Sequence, residues 1–412
     1  MRSTSTLLAL AAVAPAVLAK IDFLGVAMSG VDWGCDIDGT CPATGIQVPI
    51  ASQGGADSAG QMKHFVKDRK MNIFRIPMSW QYITNNNVQG NFDDTNFNKF
   101  DALMQACIET GAYCMIDLHN FARYDKAIIG SGGPQDAGFV NLWTNLAKYY
   151  GDNDKIVFGL MNEPHDLPVL KNWVDMCQKA VTAIRNTGAT KQIILLPGDN
   201  FSSAASFVST GSAEALSTIK NPDGTTDNLL LDLHQYLDIN NSGQHKECTT
   251  NNVEGFKTIA KWLRDNKRRA IVSETGASTD PSCITKFCEQ NQFIAANTDV
   301  FAGLVGWSAG GFHTDYIMSL TPTQNSDGTW SDNELMKQCI VDVFGESSHP
   351  PTGAPSHVAP KPSKTSAGPA AATAGAADTN KNNNKSTGAA TGTAVARAGF
   401  VLTAMAALAA LW

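Results

Sequence analysis

The chain has 412 residues, 43% of which are hydrophobic, and its formal net charge at pH 7 is -7. This length and composition are enough for one large or two ordinary globular domains with a sizeable core. Because no basic run and no interleaving of aromatic with basic residues offsets the acidic balance, a nucleic acid is excluded as partner and a neutral partner is favoured.

The first 19 residues have the pattern of a signal peptide. Arg2 precedes an apolar run from Leu7 to Leu18, and the small-residue pattern ending at Ala19 predicts cleavage before Lys20. The run is too short to cross a membrane comfortably. The predicted secretory route places the nine cysteines in an oxidising compartment, where disulfides form.

Short β-rich runs alternate with longer amphipathic stretches through residues 20–345. The predicted strands are Phe23–Met28, Asn72–Ile76, Tyr113–Leu118, Ile156–Met161, Gln192–Leu196, Leu229–Leu233, Ala270–Ser273 and Gly303–Trp307. Most are apolar at successive positions, as parallel strands covered on both faces are. Helical patterns fit most of the gaps, for example Thr95–Thr110, Gly138–Tyr150, Leu167–Asn186 and Asn252–Asn266.

This alternation predicts an α/β fold, a (β/α)8 TIM barrel that forms one catalytic domain over residues 20–345, with its active site at the C-terminal ends of the strands. A doubly wound open sheet is the alternative. It would require a glycine-rich phosphate turn after the first strand, and Gly25, Gly30 and Gly34 do not make one.

Close spacing favours two disulfides, Cys35 with Cys41 and Cys107 with Cys114. Spacing leaves the pairing of the other cysteines open: Cys177, Cys248, Cys283, Cys288 and Cys339. None of the nine lies in a Cys-x-x-Cys pattern, so a zinc site is not expected.

The composition changes after about Gly345. Residues 346–388 are rich in Pro, Ala, Ser, Thr and Asn, which predicts a disordered, O-glycosylated stalk. Residues 389–412 end in the apolar run GFVLTAMAALAALW, which is typical of the cleaved signal of a GPI anchor; a merely disordered apolar tail is the alternative. Ser386 is the preferred attachment site, with Asn384 and Gly388 close competitors. We expect a secreted monomer at the cell surface or cell wall, in contact with a membrane only through this anchor.

Polar and aromatic residues cluster where the predicted strands end. In chain order they are Arg75; Asp117, His119 and Asn120; Asn162 and Glu163; Asp199 and Asn200; His234 and Tyr236; Glu274; and Trp307. Because the strand ends of a barrel face one cleft, we expect these side chains to share a concave site. Such a set is too polar to be left over from packing.

Two glutamates that face each other across a cleft suit the cleavage of a glycosidic bond. One must hold a proton as general acid while the other stays ionised as nucleophile, and a cation such as Arg75 would lower the pKa of the nucleophile. Trp307 offers an apolar platform for a sugar ring.

Each of these residues also has a structural interpretation. Glu163, directly before Pro164, could cap a helix, because carboxylates are favoured at helix N-termini. Glu274 could be a loop acid, and each histidine and the tryptophan could be packed core residues. Asp117 and Asp232 precede a histidine by two positions and are interpreted as inward-facing structural partners. His64, Asp57 and Asp315 have no such context and stay unassigned.

The motifs RIPMSW, DLHN, GLMNEP, LHQY, SETG and VGWSAG occur at the predicted strands in chain order. With them the chain resembles glycoside hydrolase family 5, and most closely the fungal endo-β-1,4-glucanases of that family. The resemblance covers about Ile21 to Phe344. Asn-Glu-Pro alone is modestly specific, whereas the motifs together are highly specific.

The resemblance implies that Glu163 is the acid/base and Glu274 the nucleophile of a retaining double displacement, with carboxyl groups about 5 to 5.5 Å apart. Asn162 would hold the sugar 2-hydroxyl, Arg75 and Tyr236 would orient Glu274, and Trp307 would lie under the sugar. The residues expected to bind substrate or tune the pair are Arg75, His119, Asn120, Asn162, His234, Tyr236 and Trp307.

The resemblance further implies four disulfides and one free thiol, Cys177. The implied pairs are Cys35 with Cys41, Cys107 with Cys114, Cys248 with Cys283, and Cys288 with Cys339. No metal or organic cofactor is expected, and the expected partner is a β-glucan. Three alternative functions stay open: the same machinery acting on β-mannan or mixed-linkage glucan, a cell-wall glucan transglycosylase, and a catalytically silent carbohydrate-binding protein.

Overall fold

The computed structural model describes residues 20–347. The predicted signal peptide, the predicted anchor signal and all but the first two residues of the predicted stalk lie outside this range. Among the described residues, no helix has the length and apolar character needed to cross a membrane.

Eight parallel strands form a closed barrel in which each strand pairs with its neighbours in chain order and the last pairs with the first. They are β1 (Phe23–Ser29), β2 (Ile73–Met78), β3 (Tyr113–Leu118), β4 (Ile156–Gly159), β5 (Ile193–Pro197), β6 (Leu229–Tyr236), β7 (Ala270–Gly276) and β8 (Phe301–Gly310). The predicted TIM barrel is confirmed.

Helices fill the gaps between the strands. They are α1 (Ser58–Arg69), α2 (Trp80–Thr84), α3 (Asp94–Glu109), α4 (Pro134–Tyr150), α5 (Leu170–Asn186), α6 (Ser212–Ser217), α7 (Val253–Asp265) and α8 (Pro281–Ala295), followed by helical turns at Met336–Val341 and Asp342–Phe344. In α7, Phe256, Ile259, Ala260 and Leu263 are buried at the spacing of one helical face. Such faces cover the outside of the barrel.

Alternate strand residues belong to two separate hydrophobic clusters. Ile73, Met115 and Ile271 pack inside the barrel, whereas Phe74, Ile116 and Val272 pack in the cluster that includes the helices. Because successive side chains of a strand point to opposite sides, both sides are apolar and the strands read as continuous apolar runs.

Three strands extend three residues beyond their predicted ends. β6 continues to Tyr236, β7 to Gly276 and β8 to Gly310, beyond the predicted ends at Leu233, Ser273 and Trp307. The predictions stopped where the apolar runs stop. The pairing between strands continues through polar residues at the strand ends, where the site lies. Several candidate residues therefore lie within strands instead of after them.

The structure contains four disulfides, Cys35–Cys41, Cys107–Cys114, Cys248–Cys283 and Cys288–Cys339. These are the four pairs that the resemblance implies. Cys177 is free and buried in α5.

A buried ion-pair cluster fastens the C-terminal part of the domain to α1. The side chain of Asp332, which is 0% exposed, bonds to His64 Nε2 at 2.9 Å and to the Arg69 guanidinium. His64 Nδ1 also bonds to Asp68 at 2.8 Å. His64, unassigned from the sequence, therefore has a structural partner on each side, and Asp57 caps the N-terminus of α1 by accepting from the Gly60 backbone N–H.

The Asp332→Asn substitution should lower the free energy of unfolding by about 3 kcal/mol, because it takes a fully buried carboxylate away from buried His64 and from the partly exposed Arg69. Burial raises the pKa of Asp332, but the bonds from His64 and Arg69 outweigh burial and lower it. Burial lowers the pKa of His64, but the bonds to Asp332 and Asp68 prevail and raise it. The contribution of Asp332 to stability is present above the unfolded pKa of an aspartate, about 3.9, and is lost as pH falls through the folded pKa. The contribution of His64 to stability is present below the unfolded pKa of a histidine, about 6.5, and is lost as pH rises through the folded pKa.

The difference in melting temperature between wild type and Asp332→Asn should therefore be larger at pH 5 than at pH 9, which calorimetry can measure. Asp175→Asn, in the exposed Lys171–Asp175 pair, is the matched control and should change stability by at most about 0.5 kcal/mol. An equal loss for both variants would contradict the structural role of the buried cluster.

Candidate active site

Arg75 is the buried cation of the site. It lies inside β2 and not after it, with 1% of its surface exposed. Its Nη1 donates to Glu274 Oε2 at 2.5 Å, and its Nη2 donates to Asn162 Oδ1 at 2.6 Å and contacts Asp117 Oδ2 at 3.0 Å. One guanidinium therefore joins residues of β3, β7 and the loop after β4.

Glu274 is held ionised by its neighbours. It lies in β7, is 5% exposed, and accepts a second hydrogen bond, at 2.7 Å, from the Tyr236 hydroxyl. Burial raises the pKa of this carboxyl, but the charges of His234 and Arg75 and the Tyr236 bond outweigh burial and hold its pKa below the usual range. An ionised, oriented carboxylate is what a nucleophile requires.

A bulge in β7 brings Glu274 into the cleft. Val272 pairs with Leu233 of β6 and Glu274 pairs with His234, so Ser273 is an extra residue on β7. The pairing of β7 with β8 shifts at the same place. The bulge lets two successive residues, Ser273 and Glu274, both contact groups of the site, because it interrupts the alternation of faces.

Glu163 lies in the loop after β4 with a left-handed backbone, φ +42°. The backbone strain of a non-glycine residue in such a conformation is about 1–3 kcal/mol, and these conformations concentrate at functional sites. The helix-cap interpretation is wrong, because the next helix begins at Leu170 with Val169 as its N-cap. Glu163 Oε1 instead lies 2.9 Å from His234 Nδ1.

His234 connects Glu163 to a residue that the sequence analysis missed. Its Nε2 lies 3.1 Å from the Ser273 hydroxyl. Burial lowers the pKa of His234, but Glu274 and Glu163 prevail and raise it. Ser273 was missed because a serine in an apolar strand carries no signal of its own; its position directly before Glu274 was the one available hint.

The two glutamates and His234 stand close together. Each offers one ligand atom, and these atoms lie within 4.8 Å of one another, the one group of this kind within residues 20–347 that could hold a metal. The group does not fit a resident cation well, because Arg75 already lies 2.5 Å from Glu274 and His234 already bonds to Glu163. The arrangement suits proton transfer next to a fixed anion.

Trp307 forms the aromatic floor of the site. Its ring stacks on His119 at 5.5 Å and 15°, and the Arg75 guanidinium lies 5.7 Å from its centroid. Phe312 packs edge-on to it at 6.2 Å. His119 is oriented by Asp117, which lies 2.8 Å from its Nδ1.

A cavity of about 440 Å³ lies beside this floor at the ends of β1 and β8. Its lining includes Trp33, Gly311, Phe312 and His313. Trp33 is 38% exposed, so it presents an aromatic face to solvent there. The cavity and the floor together suit a neutral, ring-shaped ligand.

Two predicted site residues have contrasting environments. The Nδ2 of Asn162 is buried and has no partner within the described part of the chain, so it can donate to a ligand. Asn120 is 0% exposed, accepts from the Trp80 backbone N–H and donates to Gln81. Asn120 is therefore bonded to the start of α2, and that it binds substrate or tunes the pair stays a prediction.

The predicted site residues after β5 form hydrogen bonds with loop residues. Asp199 accepts from the Leu167 backbone N–H at 3.3 Å, and Asn200 donates to Ser206 at 2.7 Å. Neither bonds to a glutamate of the pair among the contacts of the described residues.

Residues 38–312 match the family described as Cellulase (glycosyl hydrolase family 5). Endoglucanase EG-II of Hypocrea jecorina is 48% identical over 326 residues, which are 78% of each chain. The manganese dependent endoglucanase Eg5A of Phanerodontia chrysosporium is 39% identical over 308 residues, 74% of this chain and 76% of that one. The crystal structure of Cel5A (EG2) from Hypocrea jecorina matches with a TM-score of 0.76 and 48% identity and covers 78% of this chain and 99% of that chain.

The Tyr236→Phe substitution should raise the pKa of Glu274, because it removes a hydrogen bond to the ionised form. Carbon-13 NMR of labelled glutamate carboxyls can follow this titration. Tyr82→Phe is the matched control, since the Tyr82 hydroxyl is buried without a partner among the described residues. An unchanged Glu274 pKa in Tyr236→Phe, or an equal shift in Tyr82→Phe, would argue against the role given to Tyr236.

Proposed function

Because the chain belongs to glycosyl hydrolase family 5 and is an endo-β-1,4-glucanase, we propose that it cleaves internal β-1,4-glucosidic bonds with retention, using Glu274 as nucleophile and Glu163 as acid/base. The observation that carries this proposal is the contrast between the two carboxyls. Glu274 is bound by a buried cation and a phenol, whereas Glu163 has a histidine as its one side-chain partner among residues 20–347. Different environments give two carboxyls different roles.

In the first step, a carboxylate oxygen of Glu274 attacks the anomeric carbon, and the bond from that carbon to the leaving oxygen breaks. Glu163 gives its proton to the leaving oxygen, so the shortened chain leaves as a neutral alcohol. Arg75 and Tyr236 hold Glu274 in position for the attack. The product is a covalent glycosyl ester on Glu274.

In the second step, Glu163, now ionised, removes a proton from water while the water oxygen attacks the same carbon. The ester bond breaks and Glu274 becomes a carboxylate again, so the configuration is retained overall. Carboxyl oxygens of the two glutamates within 4.8 Å of each other support this mechanism. An inverting pair stands about 6.5–9.5 Å apart to leave room for a water.

The remaining polar groups suit a glucose unit at the cleavage point. The free Nδ2 of Asn162 is available for the 2-hydroxyl, and the stacked pair of His119 and Trp307 offers a ring platform with a polar edge. A hydrogen bond to the 2-hydroxyl strengthens as charge develops at the anomeric carbon. We assign substrate binding to these residues.

One relative is named as manganese dependent, but no step here is assigned to a metal. The donor set of Glu163, His234 and Glu274 has Arg75 at 2.5 Å from one carboxylate, and a second cation there would be repelled. The residues present fit a proton better than a divalent ion.

The Glu163→Gln and Glu274→Gln variants should both lose the ability to lower the viscosity of carboxymethylcellulose. Glu163→Gln should reduce kcat by about 10²- to 10⁴-fold, the usual contribution of acid–base catalysis. Glu274→Gln should lose more, because no covalent intermediate can form. Viscometry of the domain from Lys20 to about Gly345 measures both.

Glu214→Gln, at an exposed position of α6, is the matched control and should keep wild-type activity. Proton NMR of the wild-type reaction should show the β-anomer as the first product, as retention requires. An α-anomer first would contradict the mechanism. No viscosity loss with wild type would contradict the endoglucanase assignment itself.

We also propose that the enzyme is secreted, N-glycosylated at Asn200 or Asn240, and held at the cell surface by a GPI anchor on Ser386. The four disulfides support an oxidising compartment, and both asparagines lie exposed in Asn-x-Ser sequences. The composition of residues 389–412 supports the anchor.

Phosphatidylinositol-specific phospholipase C cuts GPI anchors. It should therefore release active glucanase from intact cells that express the full chain. Immunoblotting of the released fraction measures it. A chain that ends at Gly345 is the control and should already be in the medium. Full-length protein found in the medium with residues 389–412 still attached would overturn the anchor.

A further inference from the structure

The short segment that carries Glu163 has a strained backbone. Glu163 is left-handed at φ +42°, and Asp166, three residues later, is left-handed at φ +47°. Pro164 follows Glu163 directly and has no N–H to donate. Strained conformations persist only where the surrounding structure holds them. The groups that bind residues 163–166 therefore decide where the Glu163 carboxyl lies.

Two carbonyls of this segment accept hydrogen bonds from other loops. The Phe201 backbone N–H, after β5, donates to the Pro164 carbonyl at 2.9 Å. Arg123, after β3, is 7% exposed, and its Nη2 donates to the His165 carbonyl at 2.9 Å. Its Nη1 donates to the Phe121 carbonyl at 2.8 Å. One guanidinium thus fastens the backbone after β4 to the backbone after β3.

The His165 imidazole makes a third attachment. It is 5% exposed, and its Nε2 lies 2.8 Å from the Ile37 carbonyl. Because a carbonyl oxygen only accepts, Nε2 carries a proton and donates. Ile37 belongs to the loop after β1 that the Cys35–Cys41 disulfide closes. The imidazole also stacks on Phe201 at 4.5 Å and 8°. His165 therefore joins the loops after β1, β4 and β5.

We propose that His165 is a positioning residue for Glu163, which it holds at the leaving oxygen through the backbone that both residues share. The inference rests on the proposed role of Glu163 as acid/base. An acid must lie within about 2.6–3.2 Å of the atom it protonates, and a displacement of about 1 Å can cost about 10²-fold in rate. Loss of the bond to Ile37 lets the strained segment relax and moves the Glu163 carboxyl away from the leaving oxygen.

The His165→Phe substitution tests this inference, because phenylalanine keeps the stacked ring and removes its N–H. Its kcat/KM on cellotetraose should fall about 10- to 100-fold, less than the loss of up to about 10⁴-fold expected when acid–base catalysis is removed completely. His165→Gln keeps an N–H donor at about the reach of Nε2 and should recover most of this loss. Steady-state kinetics measures both variants.

A dinitrophenyl cellobioside separates positioning from general damage. Its leaving group needs no proton, so the first step on this substrate does not depend on Glu163. The kcat/KM of His165→Phe on it should stay within about twofold of wild type. A role in folding alone would reduce the amount of active enzyme and lower the rates on both substrates equally.

Azide tests the second step in the same variant. On the dinitrophenyl substrate, kcat of His165→Phe should fall, because Glu163 is also the base that activates water. Azide needs no base: its nitrogen attacks the anomeric carbon, the ester bond breaks, and Glu274 becomes a carboxylate again. Azide should therefore raise kcat of His165→Phe and yield a β-glycosyl azide, whereas wild type should not respond.

His64→Phe is the matched control. His64 is also buried, and its two ring nitrogens bond to Asp68 and Asp332. This variant should melt at a lower temperature but keep the wild-type ratio of kcat/KM on the two substrates. Equal losses on both substrates with His165→Phe, unchanged rates on both, or no response to azide would overturn the inference.

If His165→Phe does not fold, Arg123→Lys takes its place. A single ammonium cannot reproduce the two-pronged bond to the carbonyls of Phe121 and His165, so the loss should again be confined to cellotetraose. Glu163→Gln in the same assays separates the two failures. If Glu163→Gln is as active as wild type on cellotetraose, the proposed function fails. If it loses activity there and responds to azide while His165→Phe behaves as wild type, only this inference fails.

Discussion

The rest of the site depends on one buried ion pair, between Arg75 and Glu274. A guanidinium that is 1% exposed is tolerated only if anions and hydrogen-bond acceptors surround it. Glu274, Asn162 and Asp117 supply them. The same contacts that compensate for burying the cation also hold Glu274, the proposed nucleophile, and Asn162, the proposed ligand of the 2-hydroxyl. Through Asp117 they also fix the orientation of His119.

The two glutamates are positioned by different parts of the fold. Glu274 lies in a strand, re-aimed by a bulge, with both oxygens bound. Glu163 lies in a loop with a strained backbone and contacts His234. A residue that must stay ionised benefits from rigid, charged surroundings, whereas one that exchanges a proton twice per cycle benefits from a titratable partner. The fold meets both requirements because one glutamate lies in a strand and the other in a loop.

Much of this arrangement could be predicted because it depends on local patterns. Continuous apolar runs indicated eight parallel strands, and polar residues at their ends indicated the cleft. No local pattern predicted that the amide of Asn120 bonds to Trp80 and Gln81. The DLHN pattern places it beside His119, but the turn of the backbone after β3 decides which side chain faces the cleft. No pattern reports that turn.

The sequence by itself determined the barrel and the candidate pair, because these follow from the succession of apolar runs and helical patterns and from the order of polar residues along the chain. Only the tertiary structure decided that Ser273 joins His234, that the bulge turns Glu274 inward, and that Asp332 fastens His64. These contacts join residues 39 to 268 positions apart. Their geometry depends on the register between strands and on packing across the whole domain, which no local stretch of residues specifies.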